Sequence, residues 1–236
     1  MISIVIPAFN EEKVIAGCLE SLVKQITHTK IEVIVVDNGS TDKTKQIAQK
    51  FLRKLDLKII TEKTRGRGAA RAAGFKAAQG DIITSTDADA LLPPTWIEDM
   101  LNELKSTNNI AVCGPCKFYG LSRTKIRFLN WFQPLAMNFY RLFIGHYWLS
   151  GFNFSIKKDA YVAAGGFDRR LNTNEDLELS FRVKKLGRIR YAPKICVVIS
   201  ARRLNQGIIK GLFSYIKVYI DYFFLKKDNV RSDDVR

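Results

Sequence analysis

Two hydrophobic periods alternate along residues 1–90. Ile2–Ile6 is a short apolar run closed by Pro7 and reads as a strand. Residues 11–25 carry apolar side chains at 14, 15, 18, 19, 22 and 23, the stripe of a helix. Ile31–Val36 is apolar throughout, as a strand covered on both faces would be. Ser40–Leu52 reads as a second helix, with Ser40 or Thr41 as its N-cap. Leu57–Ile60 is a third strand, Gly68–Ala78 an Ala-rich helix and Ile82–Ser85 a fourth strand. The order βαβαβαβ predicts an α/β fold, a mostly parallel sheet flanked by helices.

After Pro93-Pro94 the pattern continues with a helix at Thr95–Ser106 and a strand at Ile110–Cys113. Residues 117–150 give no clear period. Further on, Asn153–Ile156 reads as a strand and Lys158–Ala164 as a short helix. Asn174 is placed to cap a helix over Glu175–Leu186, and Ile189–Tyr191 and Ile195–Ile199 read as late strands. In Gly207–Leu225 the polar residues Lys210, Ser214, Lys217 and Asp221 share one narrow helical stripe. The expected organisation is one domain over residues 1–205, then an amphipathic C-terminal helix and tail over 206–236.

Charge divides the chain. The 236 residues carry 38 Lys and Arg against 23 Asp and Glu, a net +15. Residues 1–114 are near neutral, with 15 basic and 14 acidic residues, so almost all the surplus lies beyond them. Residues 115–172 hold 14 of the 26 aromatics. A balanced α/β half is thus followed by a basic, aromatic half suited to an anionic partner. The hydrophobic share of 47% excludes global disorder. No leader is read at the N-terminus, and no apolar run of about 20 residues predicts a spanning helix. The four Cys do not make a disulfide framework. Cys113-Gly114-Pro115-Cys116 has redox spacing but opens no convincing helix, so its thiols are read as buried in a strand and turn.

In a parallel sheet, ligands bind beyond the carboxyl ends of the strands. Those ends carry Pro7-Ala8-Phe9-Asn10, Asp37-Asn38-Gly39-Ser40 and Thr86-Asp87-Ala88-Asp89. Asp87 and Asp89 offer hard oxygen ligands for Mg²⁺ or Mn²⁺, although two turn-forming Asp would look the same. Asp37-Asn38 can accept from a base or ribose, or simply form a turn. Arg65-Gly66-Arg67-Gly68-Ala69-Ala70-Arg71 can meet diphosphate oxygens, or be a solvated basic turn. Asn174-Glu175-Asp176-Leu177-Glu178 places acids in a first helical turn, favourable to the helix dipole or available as a general base.

Taken in order, Ile4–Glu12, Val35–Asp42, Gly68–Arg71 with Gly74, Ala78 and Gly80-Asp81, Thr86–Asp89, Gly165–Asp168 and Glu175–Leu179 resemble the GT-A fold glycosyltransferases of the large inverting family 2. The resemblance covers residues 2–205. It implies a nucleotide-diphosphate sugar donor and a divalent metal, Mg²⁺ or Mn²⁺. It also implies a nucleotide-sugar-binding half over 1–114 and an acceptor-binding half over 115–205. By position, Pro7, Ala8, Asn10 and Glu12 would line or flank the nucleotide pocket. Asp37 or Asn38 would face the base, and Arg71 the nucleotide side of the pocket, where it would help stabilise the departing diphosphate. Asp87 would face ribose and metal, Asp89 would bind the metal, and Asp176 would be the base.

Three departures stand out. Asn38 replaces a common second Asp. His28 and His146 do not match the late metal-side His, so Ser200 or an Arg would serve there. The aromatic acceptor motif of processive synthases is absent. The expected activity is metal-dependent inverting sugar transfer to an acceptor hydroxyl or phosphate, on a lipid-linked carrier or a cell-envelope glycan. The expected place is the cytoplasm, peripheral on an anionic membrane face, without a nucleic-acid partner; a homodimer is the other use of the C-terminal apolar face. The competing class is a non-catalytic basic protein that binds nucleic acid or a membrane surface.

Overall fold

The structure is a computed structural model that describes residues 1–105 and 108–202. It opens with the expected alternation: β1 (Ile2–Ala8), α1 (Ile15–Val23), β2 (Ile31–Asp37), α2 (Thr44–Gln49), β3 (Leu57–Thr61), α3 (Arg67–Ala77) and β4 (Ile82–Thr86). Then follow α4 (Trp96–Lys105), β5 (Asn109–Cys113), β6 (Cys116–Tyr119), α5 (Arg123–Ile144), β7 (Asn153–Lys157), α6 (Lys158–Ala163), α7 (Glu175–Val183), β8 (Arg188–Tyr191) and β9 (Val197–Ser200).

Seven strands form one sheet in the order β3-β2-β1-β4-β7-β5-β8. All its neighbours are parallel except β7, which runs antiparallel between β4 and β5. β6 and β9 make a small parallel pair beside it. The alternation of side chains along β1 shows why the strands are apolar throughout. Ile4 and Ile6 enter one core with Leu19, Trp96 and Met100, while Val5 enters the other with Phe75, Phe154 and Leu179. Gly74 allows α3 to lie on the sheet, since a Cβ there would come within 2.3 Å of Val5 Cγ1.

Several local expectations are corrected. Residues 117–150, unreadable as a pattern, contain β6 and the 22-residue helix α5, with Pro134 inside it. α5 is apolar on both its inner and outer faces, so no single stripe emerges. Ser40 does not cap α2, which starts at Thr44; Ser40 Oγ instead accepts from Asn10 N. Asn174 has a left-handed φ of 57° and makes no side-chain cap bond to α7. Cys113 and Cys116 are free and buried as expected, but Cys116 opens strand β6 rather than lying in a turn, and burial pushes both thiols far above their usual range. The helix expected at Gly207–Leu225 lies outside the described residues. Among the described residues, no helix is long and apolar enough to cross a membrane.

Candidate active site

Ala8 and Asp37 stand opposite each other where β1 and β2 end. Asn38 N donates to Ala8 O at 2.9 Å, and Asp37 Oδ1 accepts from Ser40 N. The Asn38 amide is committed to the next loop. Its Nδ2 donates to Glu62 O and Thr64 O, and its Oδ1 accepts from Gly66 N. Asn38 thus shapes the loop beyond β2. Pro7, half-buried, lies inside β1 opposite Val36, so the strand runs past the expected end to Ala8.

Asn10 and Glu12 brace the loop between β2 and α2. Asn10 takes φ 54°, and its Oδ1 accepts from Thr41 N at 2.9 Å. Glu12 N donates to Asp42, and a Glu12 carboxylate oxygen accepts from Lys43 N. The Arg65 guanidinium lies 4.1 Å from the centre of the Phe9 ring, a cation–π contact.

The start of α3 is anchored by a segment distant in sequence. Gly68 N donates to Leu171 O at 3.0 Å, and Arg67 N donates to Asn172 Oδ1. A Cβ on Gly68 would sit 2.4 Å from Leu171 O and 2.5 Å from Asp168 O. Only glycine fits, and this contact brings the loop before α7 against α3.

That docking creates the charged centre of the site. The Arg71 side chain is buried, and its guanidinium reaches Ser85, Asp87 and Glu175. Nε donates to Ser85 Oγ at 3.2 Å, Nη2 to Asp87 Oδ1 at 2.7 Å, and Nη1 to Glu175 Oε1. Three nitrogens of the Arg71 guanidinium thus each have a protein partner, Asp87 among them. Burial pushes the Glu175 carboxyl above its usual range, a rise that the Arg71 charge offsets only in part. The pairing also makes Glu175 a poor substitute for the base.

Gly151 lies against the same guanidinium; a Cβ there would be 2.4 Å from Arg71 Nη2. Its backbone joins the two sides of the site. Gly151 N donates to Asp176 Oδ2 at 2.6 Å, and Gly151 O accepts from Ser85 Oγ at 2.7 Å. Asp176 Oδ1 accepts from Leu177 N, so both carboxylate oxygens are oriented by backbone N–H groups. The side chain remains partly open to solvent. Beside it, the buried Asn174 Nδ2 has no hydrogen-bond partner.

Asp87 is 24% exposed and Asp89 9%. Arg202 Nη2 contacts Asp89 at 3.6 Å and also the Glu11 carboxylate. Both residues expected as alternatives for the late position meet here, Ser200 Oγ accepting from Arg202 N. His146 is engaged elsewhere, with Tyr140, Phe181 and the Tyr147 carbonyl. Among the described residues, no three His, Cys, Asp or Glu are grouped to hold a metal alone. Two carboxylates with oxygen donors still fit Mg²⁺ or Mn²⁺, ions that usually share protein carboxylates with substrate phosphates.

The sequence model of glycosyl transferase family 2 matches residues 3–164, which span β1 through α6. The chain belongs to this family. Chondroitin synthase of Pasteurella multocida is 35% identical over 132 residues, 55% of this chain and 14% of that protein. The chain spans less than half the length of the curated relatives it matches. The crystal structure of S. aureus TarS 1-349 in complex with UDP-GlcNAc superposes with a TM-score of 0.68, at 21% identity, covering 98% of this chain and 68% of that one. A mannosyltransferase from Pyrobaculum calidifontis, solved with GDP-Man and Mn²⁺, gives 0.67 at 21% identity, covering 92% and 64%. These likenesses show the GT-A fold, mixed α/β with a mostly parallel sheet.

Within this glycosyltransferase family fold, the sequence marked Asp37, Arg71, Asp87, Asp89 and Asp176 for the site. It did not mark Ser85, Gly151 or Arg202 individually. Ser85 and Gly151 each act through two hydrogen bonds formed by chain crossings, which leave no periodic or compositional trace.

Proposed function

We propose that the protein is an inverting glycosyltransferase that moves a sugar from a nucleotide-diphosphate sugar to an acceptor hydroxyl or phosphate, on a lipid-linked or cell-envelope glycan. The observation that carries this reading is the chain of contacts Asp87–Arg71–Glu175 with Asp176 held across Gly151 at the carboxyl end of the sheet. It joins a donor-side carboxylate to a partly open carboxylate suited to proton removal. Support also comes from relatives of the same fold bound to UDP-GlcNAc and to GDP-Man with Mn²⁺.

In this reading the nucleotide lies over Pro7, Ala8 and Asp37, with Asn10, Glu12 and Asn38 holding the loops around it. Asp87 faces the ribose, and Asp87 with Asp89 would hold a divalent ion. Such an ion, when bound, offsets negative charge on the departing diphosphate. Arg71 keeps Asp87 in place. The acceptor oxygen forms a bond to the anomeric carbon as the bond to the diphosphate oxygen breaks, and that electron pair leaves with the diphosphate. Asp176 takes the acceptor proton. The unpartnered Asn174 Nδ2 is available to a sugar oxygen beside it.

A panel of nucleotide sugars with Mn²⁺, read by thermal shift and by nucleotide release, tests the proposal. One donor is expected to stabilise the protein, by about 2.7 kcal/mol at 100 times its dissociation constant. Its turnover should stop with EDTA and in Asp89→Asn. Full turnover in EDTA overturns the metal role. No response to any donor, together with salt-sensitive RNA binding, favours the nucleic-acid reading.

A further inference from the structure

α5 carries a hydrophobic face that no described residue covers. Phe128, Trp131, Phe132, Leu135, Phe139, Leu142 and Phe143 are exposed, Leu142 and Phe143 by 74% and 79%. At 100° per residue these seven fall within an arc of about 120°. The opposite face holds the helix to the protein. Leu129 and Met137 are buried there, and Phe118 N donates to Asn130 Oδ1 at 2.8 Å.

Charge restricts what can cover this face. α5 contains Arg123, Lys125, Arg127 and Arg141 and no acidic residue. Its C-terminal end opens into a cleft of about 240 Å³ lined by Arg141, Lys184, Arg188 and Arg190 with Tyr147 and Tyr191. The two tyrosine rings stack at 4.8 Å, and the Arg141 guanidinium lies 5.2 Å from the Tyr147 ring centre. A second copy would set cation against cation. Residues 203–236 are cationic too, with seven basic and four acidic residues. An apolar face rich in Phe and Trp, bordered by Arg and Lys, matches the interfacial zone of an anionic bilayer.

We propose that α5 docks the protein on a bilayer of anionic phospholipid, its aromatic face entering the interface and the Arg141–Lys184–Arg188 cleft receiving lipid phosphates. α5 ends at Ile144, and the chain that leaves it reaches Gly151, whose N–H holds Asp176. The docked helix is therefore tied to the candidate site by a short connection. The proposal concerns a surface and does not depend on the enzymatic reading.

The test is sedimentation of the full chain with phosphatidylglycerol–phosphatidylcholine vesicles, without donor. The protein is expected to pellet with anionic vesicles at low salt, and to stay in solution with pure phosphatidylcholine or at high salt. Phe139→Ser/Leu142→Ser/Phe143→Ser tests the apolar face, and Arg141→Glu/Lys184→Glu/Arg188→Glu tests the cleft. Each should lower partitioning by about 100-fold. Brominated lipid should quench Trp131 fluorescence, and the quenching should vanish in Trp131→Phe. The proposal is overturned if the wild type never pellets, or if both triple variants pellet like the wild type. It is also overturned if ultracentrifugation shows a dimer that the apolar-face variant abolishes.

Discussion

Arg71 and Glu175, 104 positions apart in the chain, form an ion pair whose side chains are only 3% and 2% exposed. The pair joins α3 to the first turn of α7 and holds the two halves of the site together. Removing one member leaves a buried charge alone, which costs about 3–5 kcal/mol. Arg71→Met should therefore lower the urea midpoint sharply. Arg71→Met/Glu175→Leu should recover part of that loss. If the double variant is no more stable than the single one, the pair is not the source of the effect.

Asp176→Asn keeps the shape but loses the base. Turnover should fall about 10²–10⁴-fold. Donor affinity should stay near wild type, since the role concerns the acceptor. Asn has one acceptor oxygen for the two N–H groups of Gly151 and Leu177, so a stability loss of about 1 kcal/mol is also expected. Calorimetric donor binding and nucleotide release, measured side by side, separate the two effects.

Gly68→Ala places a methyl against the carbonyls of Leu171 and Asp168. Relief requires α3 to move away from that loop. The expected cost is about 1–3 kcal/mol. Because Arg71 rides on the same helix, turnover should fall more than stability alone predicts. Ala at Gly39, where a Cβ meets nothing within 4 Å but φ is +81°, is the control for strain without a clash.

Glu32 sets part of the acid limit. Burial raises its carboxyl, but bonds from Ser3 Oγ, Gln79 N and Lys58 Nζ outweigh that and hold it below the usual range. A carboxyl lowered in the folded state contributes stability above its unfolded value, near 4.3, and loses it as pH falls through the folded one. Glu32→Gln should thus be less stable than wild type at pH 7, and the gap should narrow below about pH 4. Urea midpoints across pH 2–8 would show it; a constant gap would exclude Glu32 as the titrating group.

The first half of the fold was legible because β1, β2 and β4 are covered on both faces and their helices on one. Each element then writes a clean period. α5 was not legible, since Leu129 and Met137 on one side and Trp131, Phe139 and Phe143 on the other merge into one apolar blur. Caps misled for a related reason. Ser40 and Asn174 are ordinary N-cap types, yet one accepts from Asn10 N and the other takes a left-handed turn. In the site, Asp37, Asp87 and Asp89 stood at or just past strand ends, where order alone finds them. The Arg71 fork did not, because its partners at 85, 87 and 175 meet only in three dimensions.

The antiparallel β7 has a consequence for the nascent chain. β5 leaves the ribosome well before β7, yet β7 is the strand that separates it from β4. Until Lys157 has emerged, the outer edge of β4 has no neighbour, and the apolar β5 has no place in the sheet. An open edge of this kind invites pairing with other chains. A chain stalled after Gly114 would present that edge continuously, so the sheet closes only when its two halves are made in one piece.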